Sequence, residues 1–390
     1  MTDSQSNGNV SSVPLLDVSR SNNPIRDEVL QALADVYDSG RFLFGPAVQE
    51  LEADVAKVSN AKYGVGCASG SDALLLSLMA LGISPGDEVI CPSFSFFATA
   101  SCISRLGANI VFADIDPLTY NVDPLDVARK ISPKTRAIIP VHLFGQSAQM
   151  DVLCKLAADH EIPLVEDAAQ AIGAAYHGRP VGSWGQVGCI SFYPTKNLGG
   201  FGDGGMMTTN SDIIADRLRL LAGHGMRPRY YHSEVGINSR LDTFQAAALL
   251  IKMKHLENYT AQRRTNACQY FELIEEQGLQ DYGIETPYVD PAAHHVWNQF
   301  SLRVADGRRD ALRTFLQERS IGSEIYYPIP LHMQACYRDL GYREGDLPFT
   351  ETASREILHL PIFPELTIEE QRTVVQAISS FCKSSVRAAA

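Results

Sequence analysis

Between residues 62 and 210 the chain alternates short β-branched or apolar runs with longer helix-patterned segments, the pattern of repeated strand–helix–strand units. The predicted strands cover 88–91, 109–113, 137–142, 163–166, 188–192 and 205–209, and the helices between them include 98–106, 123–130 and 150–160. Strands joined by such crossovers pair in parallel, so the pattern predicts an α/β fold on a mostly parallel sheet. A mostly helical stretch, 241–277, then leads away from that sheet, with Ala246, Leu249, Leu250, Met253 and Leu256 at three- and four-residue steps. Beyond Pro287 a strand (299–304) and two helices (309–319 and 368–380) predict a smaller α+β domain. The expected division is a disordered tail over 1–12, a large domain over 13–260 and a small C-terminal domain over 261–390.

With 390 residues, 45% of them hydrophobic, the chain can bury the cores of two domains, which excludes disorder as its main state. The 33 Lys+Arg against 45 Asp+Glu leave a net charge of −12, which argues against nucleic acid as a partner. Eight cysteines (67, 91, 102, 154, 189, 268, 336 and 382) are scattered without a C-x-x-C pair, so neither a disulfide framework nor a metal site is expected. No apolar run reaches the roughly 18 to 20 residues of a membrane span, and the first twelve residues are polar. A reducing cytoplasm is the expected location.

Three segments carry candidate chemistry. Ser69-Gly70-Ser71-Asp72-Ala73-Leu74 opens an apolar helix with small residues, leaving free backbone N–H groups at a positive dipole end, a seat for phosphate. The same residues also fit an ordinary helix start capped by Ser71 or Asp72. Leu164-Val165 runs into Glu166 and Asp167 at the carboxyl end of a strand, where open α/β sheets bind ligands. An acid there can hold a positive ring nitrogen or a metal, or cap the next turn. In Ser191-Phe192-Tyr193-Pro194-Thr195-Lys196-Asn197-Leu198-Gly199-Gly200, a lysine follows a strand and a proline turn and precedes glycines. Burial would favour its neutral amine, which condenses with carbonyl compounds and with pyridoxal 5'-phosphate; solvent exposure is the competing expectation. Gly200-Phe201-Gly202-Asp203-Gly204-Gly205 satisfies G-x-G-x-x-G but leads into a strand instead of opening a helix, which excludes a dinucleotide site.

Taken in order, segments 69–74, 91–101, 166–174, 191–210 and 224–247 resemble the DegT/DnrJ/StrS family of pyridoxal-phosphate-dependent nucleotide-sugar aminotransferases. The likeness extends to Pro14-Leu15-Leu16-Asp17 and Phe44-Gly45-Pro46 at one end, and to Glu324-Ile325-Tyr326-Tyr327-Pro328 and Pro330-Leu331-His332 at the other. It implies the aspartate-aminotransferase fold, fold type I, with a seven-stranded-type sheet in the large domain. Lys196 would hold pyridoxal phosphate as the internal aldimine and later shuttle a proton, and Asp167 would keep the pyridinium nitrogen protonated. Phe96 would stack on the cofactor ring, with core packing as its alternative. Gln170 would hydrogen-bond the ring oxygen, and Gly70, Ser71 and Ser191 would bind the phosphate. Asn238 matches the residue that reaches the phosphate of a neighbouring subunit, implying a homodimer with shared active sites. Arg240 and Asp242 are expected to form an ion pair that positions that loop.

The family resemblance implies an amino group taken from glutamate and delivered, by a ping-pong route, to a keto group of a nucleotide-linked hexose. Segments 224–232, 238–242 and 326–332 look most like members acting on 3-keto sugars carried by UDP or dTDP, with Tyr327 and His332 as acceptor contacts or, equally, loop packing. Such an enzyme would serve amino-sugar synthesis for a surface polysaccharide or a glycosylated metabolite. Alternatives are a sugar dehydratase that uses the same cofactor, an aminotransferase making an amino-cyclitol or an aromatic amino acid precursor, and a non-catalytic regulatory relative. The better-known dehydratases replace the lysine by histidine, and Lys196 stands against them.

Overall fold

A computed structural model describes residues 12–389, so the expected tail lies outside the described residues apart from Ser12. The large sheet begins with β1 (Tyr63–Cys67), which leads into helix α1 (Gly70–Ala80). β2 (Glu88–Pro92), α2 (Ala98–Arg105) and β3 (Asn109–Ala113) follow, then α3 (Pro124–Lys130), β4 (Thr135–Ile138), α4 (Met150–Asp159) and β5 (Val165–Asp167). β6 (Val187–Ser191) and β7 (Gly205–Thr209) complete it. β1, β7, β6 and β5 pair in that order, β3, β2 and β4 form a second run, and parallel bridges Ile138 to Leu164 and Val141 to Asp167 join the two. The result is one seven-stranded sheet.

β1 is the strand that pattern reading misses, because Gly64 and Gly66 dilute its strand propensity. The expectation of parallel pairing holds for β2 to β6 and fails for β7, which runs antiparallel to both β1 and β6. A parallel connection needs a long crossover, usually a helix, and the chain between Ser191 and Gly205 contains none.

The helices bury apolar faces against this sheet. In α1 nearly every residue from Ala73 to Leu78 is buried, as expected of a helix sandwiched between the sheet and other helices. The predicted single helical stretch after Leu241 is two helices, α5 (Thr243–Met253) and α6 (Leu256–Glu276), broken at Lys254 and His255. A second core gathers around a small antiparallel sheet of β8 (Ile284–Glu285), β9 (Phe300–Val304) and β10 (Ile357–Leu360). Helices α7 (Arg309–Gln317) and α8 (Ile368–Ala389) contribute to it, as do Ala267, Tyr270 and Ile274 of α6. Phe94, Tyr120 and Phe144, from loops at the carboxyl edge of the large sheet, also enter this second core, so the two units meet beside the ends of β2 and β5.

Candidate active site

The carboxyl ends of β1, β2, β5 and β6 share one edge of the large sheet, and pairing across β7 sets Cys67 and Ser191 level through their common partner Gly205. α1 starts from this edge. Its cap is Ser69, whose hydroxyl accepts from Asp72 N at 3.1 Å; this corrects the expectation that Ser71 or Asp72 serves. Asp72 instead accepts from Ser239 Oγ at 2.7 Å. A Cβ on Gly70 would stand 2.7 Å from Ser191 Cβ, so glycine is what lets the helix start lie directly against the end of β6. The N–H groups of α1 and the Ser191 hydroxyl thus share one small space, as a phosphate seat requires.

Glu166 and Asp167 take different roles because successive strand residues face opposite sides of the sheet. Glu166 is fully buried and accepts from the backbone N–H groups of Gly182, Trp184 and Gly185 at 2.7–2.8 Å. It also pairs with His142 Nε2 at 3.0 Å. Since Ala148 N donates to His142 Nδ1, the ring proton sits on Nε2 and is given to Glu166. Glu166 is therefore a loop anchor. Asp167 faces the cleft: Thr99 Oγ1 donates to its Oδ2 at 2.7 Å, and Ala169 N to its Oδ1 at 3.2 Å. Burial raises the Asp167 pKa, while Thr99, Ala169 N and the Lys196 charge oppose that rise.

Lys196 occupies a tight turn. Its own N–H bonds Tyr193 O at 2.9 Å, and Gly200 N closes the turn on Phe192 O at 2.7 Å. Its side chain is half-buried, and desolvation lowers the amine to about 8 against the pull of Asp167. The amine and the acid thus act on one another across the same cleft. The expectation of a fully exposed lysine is not met.

Phe96 is 57% exposed whereas its neighbour Phe94 is 1% exposed, so Phe94 takes the core position and Phe96 the cleft. The Phe96 ring lies 6.2 Å from Tyr327, whose hydroxyl pKa is raised by burial and then by Asp167. Gln170 stands between the two units: its Oε1 accepts from Phe144 N at 2.7 Å, leaving the amide donor facing the Tyr327 hydroxyl at 3.4 Å. Tyr327, expected against an acceptor sugar, is thereby placed beside Asp167, Gln170 and Phe96.

His332 is not a cleft residue. It is 1% exposed, its Nδ1 lies 2.7 Å from Ser93 Oγ, and its Nε2 lies 3.3 Å from Glu351 Oε1. Both ring nitrogens are engaged by the protein, so its expected contact with a sugar is corrected to a clamp between the chain after β2 and the C-terminal unit. Asn238 is exposed, and its side chain accepts from Arg240 Nη2 at 2.6 Å instead of joining Lys196 or Ser191 of its own chain. Arg240 does not form the predicted pair with Asp242; besides Asn238 it meets the face of Phe44, 5.8 Å from the ring centre. Ser95 and Thr99 lie within the 91–101 motif, which does not single them out, yet they bond in series to Asp167.

A buried acid able to face a cationic nitrogen, a desolvated amine, a helix start beside a serine and an aromatic face fit a phosphorylated pyridine aldehyde. The fold and this site define a pyridoxal-phosphate enzyme of fold type I. Residues 23–379 match the profile of the DegT/DnrJ/EryC1/StrS aminotransferase family, and the chain belongs to that family. A Geobacillus stearothermophilus protein named as a pleiotropic regulatory protein is 48% identical, over 95% of this chain and 98% of its own. The UDP-N-acetyl-3-dehydro-alpha-D-glucosamine 3-aminotransferase of Acidithiobacillus ferrooxidans is 42% identical, over 94% and 97%. The crystal structure of Streptomyces venezuelae DesV in complex with a ketimine intermediate superposes with a TM-score of 0.91 at 41% identity, covering 96% of this chain and 99% of that one. Bacillus subtilis NtdA with bound PMP superposes at 0.90 with 32% identity, covering 97% and 87%.

Proposed function

We propose that the protein transfers an amino group from glutamate to the keto carbon, at position 3, of a UDP- or dTDP-linked hexose, taking the two substrates in turn. The observation that carries this reading is the gathering at one edge of the sheet of Asp167, aimed by Thr99, the half-buried Lys196 and the start of α1 laid against Ser191. Pyridoxal phosphate, when bound, supplies an aldehyde and an electron-accepting ring. Lys196 Nζ would hold that aldehyde and would carry the proton between substrate and cofactor. Asp167, aimed by Thr99, holds a protonated ring nitrogen. Phe96 and Tyr327 would wall the ring, the Gln170 amide would donate to its oxygen, and Gly70, Ser71 and Ser191 would receive the phosphate.

Asn238 is exposed and bonded to Arg240, and in this reading it completes the phosphate seat of a second subunit, making the working unit a homodimer. The relatives that act on 3-keto sugars support the acceptor class, and eight unpaired cysteines support a cytoplasmic location. Among the described residues no helix is long and apolar enough to cross a membrane.

A regulatory role is the second reading, suggested by the name of the Geobacillus relative. It gives no reason to hold a desolvated lysine and a desolvated carboxylate in one cleft, an arrangement that costs stability unless it is used. The deciding experiment runs the reverse reaction, with 2-oxoglutarate, on a panel of UDP- and dTDP-linked 3-amino and 4-amino sugars. Consumption of a 3-amino sugar is expected. Turnover of 4-amino sugars alone would overturn the acceptor position, and colourless protein that never takes up pyridoxal phosphate would overturn the enzyme itself.

A further inference from the structure

Lys252 is a buried lysine to which the reaction gives no task. It lies on α5, 6% exposed, and donates from Nζ to Gly199 O at 2.6 Å; the amine also faces the Phe201 ring, 5.3 Å from its centre. Desolvation lowers this amine to about 8, against the pull of Glu365. A lysine so placed forfeits hydration, which the fold tolerates only where the amine meets a partner it must hold.

That partner is the end of the turn bearing Lys196. A Cβ on Gly199 would stand 2.3 Å from Pro194 O, so the turn folds back on itself with Lys196 between its two ends. One helical face grips the glycine-rich stretch at two points, since Gln245 and Lys252 are seven residues apart on α5. Gln245 Oε1 accepts from Phe201 N at 2.8 Å. From the other side Asn197 Nδ2 donates to Val296 O at 2.9 Å. A narrow crevice lined by Lys196, Asn197, Gly199 and Lys252 runs along this turn.

We propose that Lys252 is a positioning residue for Lys196: its grip on the Gly199 carbonyl holds the turn in the one shape that presents Nζ to the cofactor aldehyde. The inference rests on the cofactor reading above and adds to it a residue that touches neither cofactor nor substrate. Capture joins neutral Lys196 Nζ to the aldehyde carbon with loss of one water, so no oxidant or reductant enters. A misplacement of about 1 Å at a reacting atom costs on the order of a hundredfold in rate.

The test compares pyridoxal phosphate with pyridoxine 5'-phosphate, which has an alcohol in place of the aldehyde and cannot be captured. In the full-length apoprotein, Lys252→Met is expected to slow the absorbance change of pyridoxal phosphate capture by about a hundredfold. The dissociation constant of pyridoxine phosphate should stay within about twofold, and Lys252→Arg should restore capture to within about fivefold. Lys252→Gln, with a shorter neutral donor, carries the same expectation as Lys252→Met and replaces it if that variant is insoluble. Capture at the wild-type rate in a folded variant overturns the proposal. Equal loss of both ligands, or failure of both neutral variants to fold, makes Lys252 a determinant of the whole fold and overturns it too. Wild-type protein that captures no pyridoxal phosphate would instead sink the cofactor reading, so the two failures are distinguishable.

Discussion

Thr99 Oγ1 donates to Asp167 Oδ2 across 2.7 Å, and Ser95 Oγ lies 2.8 Å from the same threonine hydroxyl. The segment that presents Phe96 to the cleft therefore also aims the acid. In the proposed reading, the ring face and the ring-nitrogen partner are both set by one stretch of chain, Ser95 to Thr99, packed on the end of β5.

Thr99→Val removes a hydrogen bond to a charged, buried group, a loss of about 1.5–3 kcal/mol. Thr99 holds the Asp167 pKa down against burial, so its removal raises that pKa further. We predict a fall of about tenfold or more in kcat/KM, with the bound cofactor's absorption titrating at a shifted pH. An unchanged pH profile in the folded variant would show that the bond does not tune Asp167.

Lys196 has a folded-state pKa of about 8, below the ordinary 10.5. The neutral fraction, and hence the capture rate of pyridoxal phosphate by apoprotein, should climb about tenfold per pH unit below that value and level off above it. Between the two values the unfolded chain binds more protons than the folded one, so the apoprotein gains stability as pH rises through this window. Lys196→Ala should remove both dependences. It should also lower transamination by about 10³-fold or more while still binding the cofactor noncovalently. Stopped-flow absorbance and denaturation at several pH values read these outcomes.

Gly70→Ala sets a methyl 2.7 Å from Ser191 Cβ, and one of the two must move. Overpacking of this kind costs about 1–3 kcal/mol. Because the shift falls on the phosphate seat, the affinity for pyridoxal phosphate should drop by about tenfold as well, measured by equilibrium binding to apoprotein. A variant that loses stability but keeps wild-type affinity would place the phosphate elsewhere.

His332→Ala leaves Ser93 Oγ and Glu351 short of a buried partner, each worth about 1–3 kcal/mol. The expectation is a clearly lower melting temperature. KM for the sugar nucleotide should stay within about twofold, as befits a clamp outside the cleft. A large rise in KM at unchanged stability would return His332 to the substrate pocket.

Much of this site is legible along the chain because its chemistry depends on short-range order. A strand ending in Glu166 and Asp167, a lysine between Pro194 and the glycines, and small residues opening α1 all announce themselves within a few positions. Local reading goes wrong where neighbours compete for one task. Ser69, two residues before the first expected cap, takes the helix start, and β7 reverses direction because its connection lacks a helix.

The alternation of strands and helices, and the candidacy of Lys196 and of the Glu166-Asp167 pair, follow from hydrophobic period and side-chain chemistry, which are properties of neighbouring residues; the preference for Asp167 over Glu166 comes from the ordered motifs of the family resemblance. Burial and distant contacts are not such properties. Tyr327 reaches Gln170, His332 is sealed against Ser93, and Lys252 grips Gly199 only after segments far apart in the chain have packed together. Packing removes water from some polar groups and leaves it on others. In the reading proposed above, that selective desolvation makes one lysine a reactive amine and another a brace, and it seals a histidine between two units, distinctions that residue type does not carry.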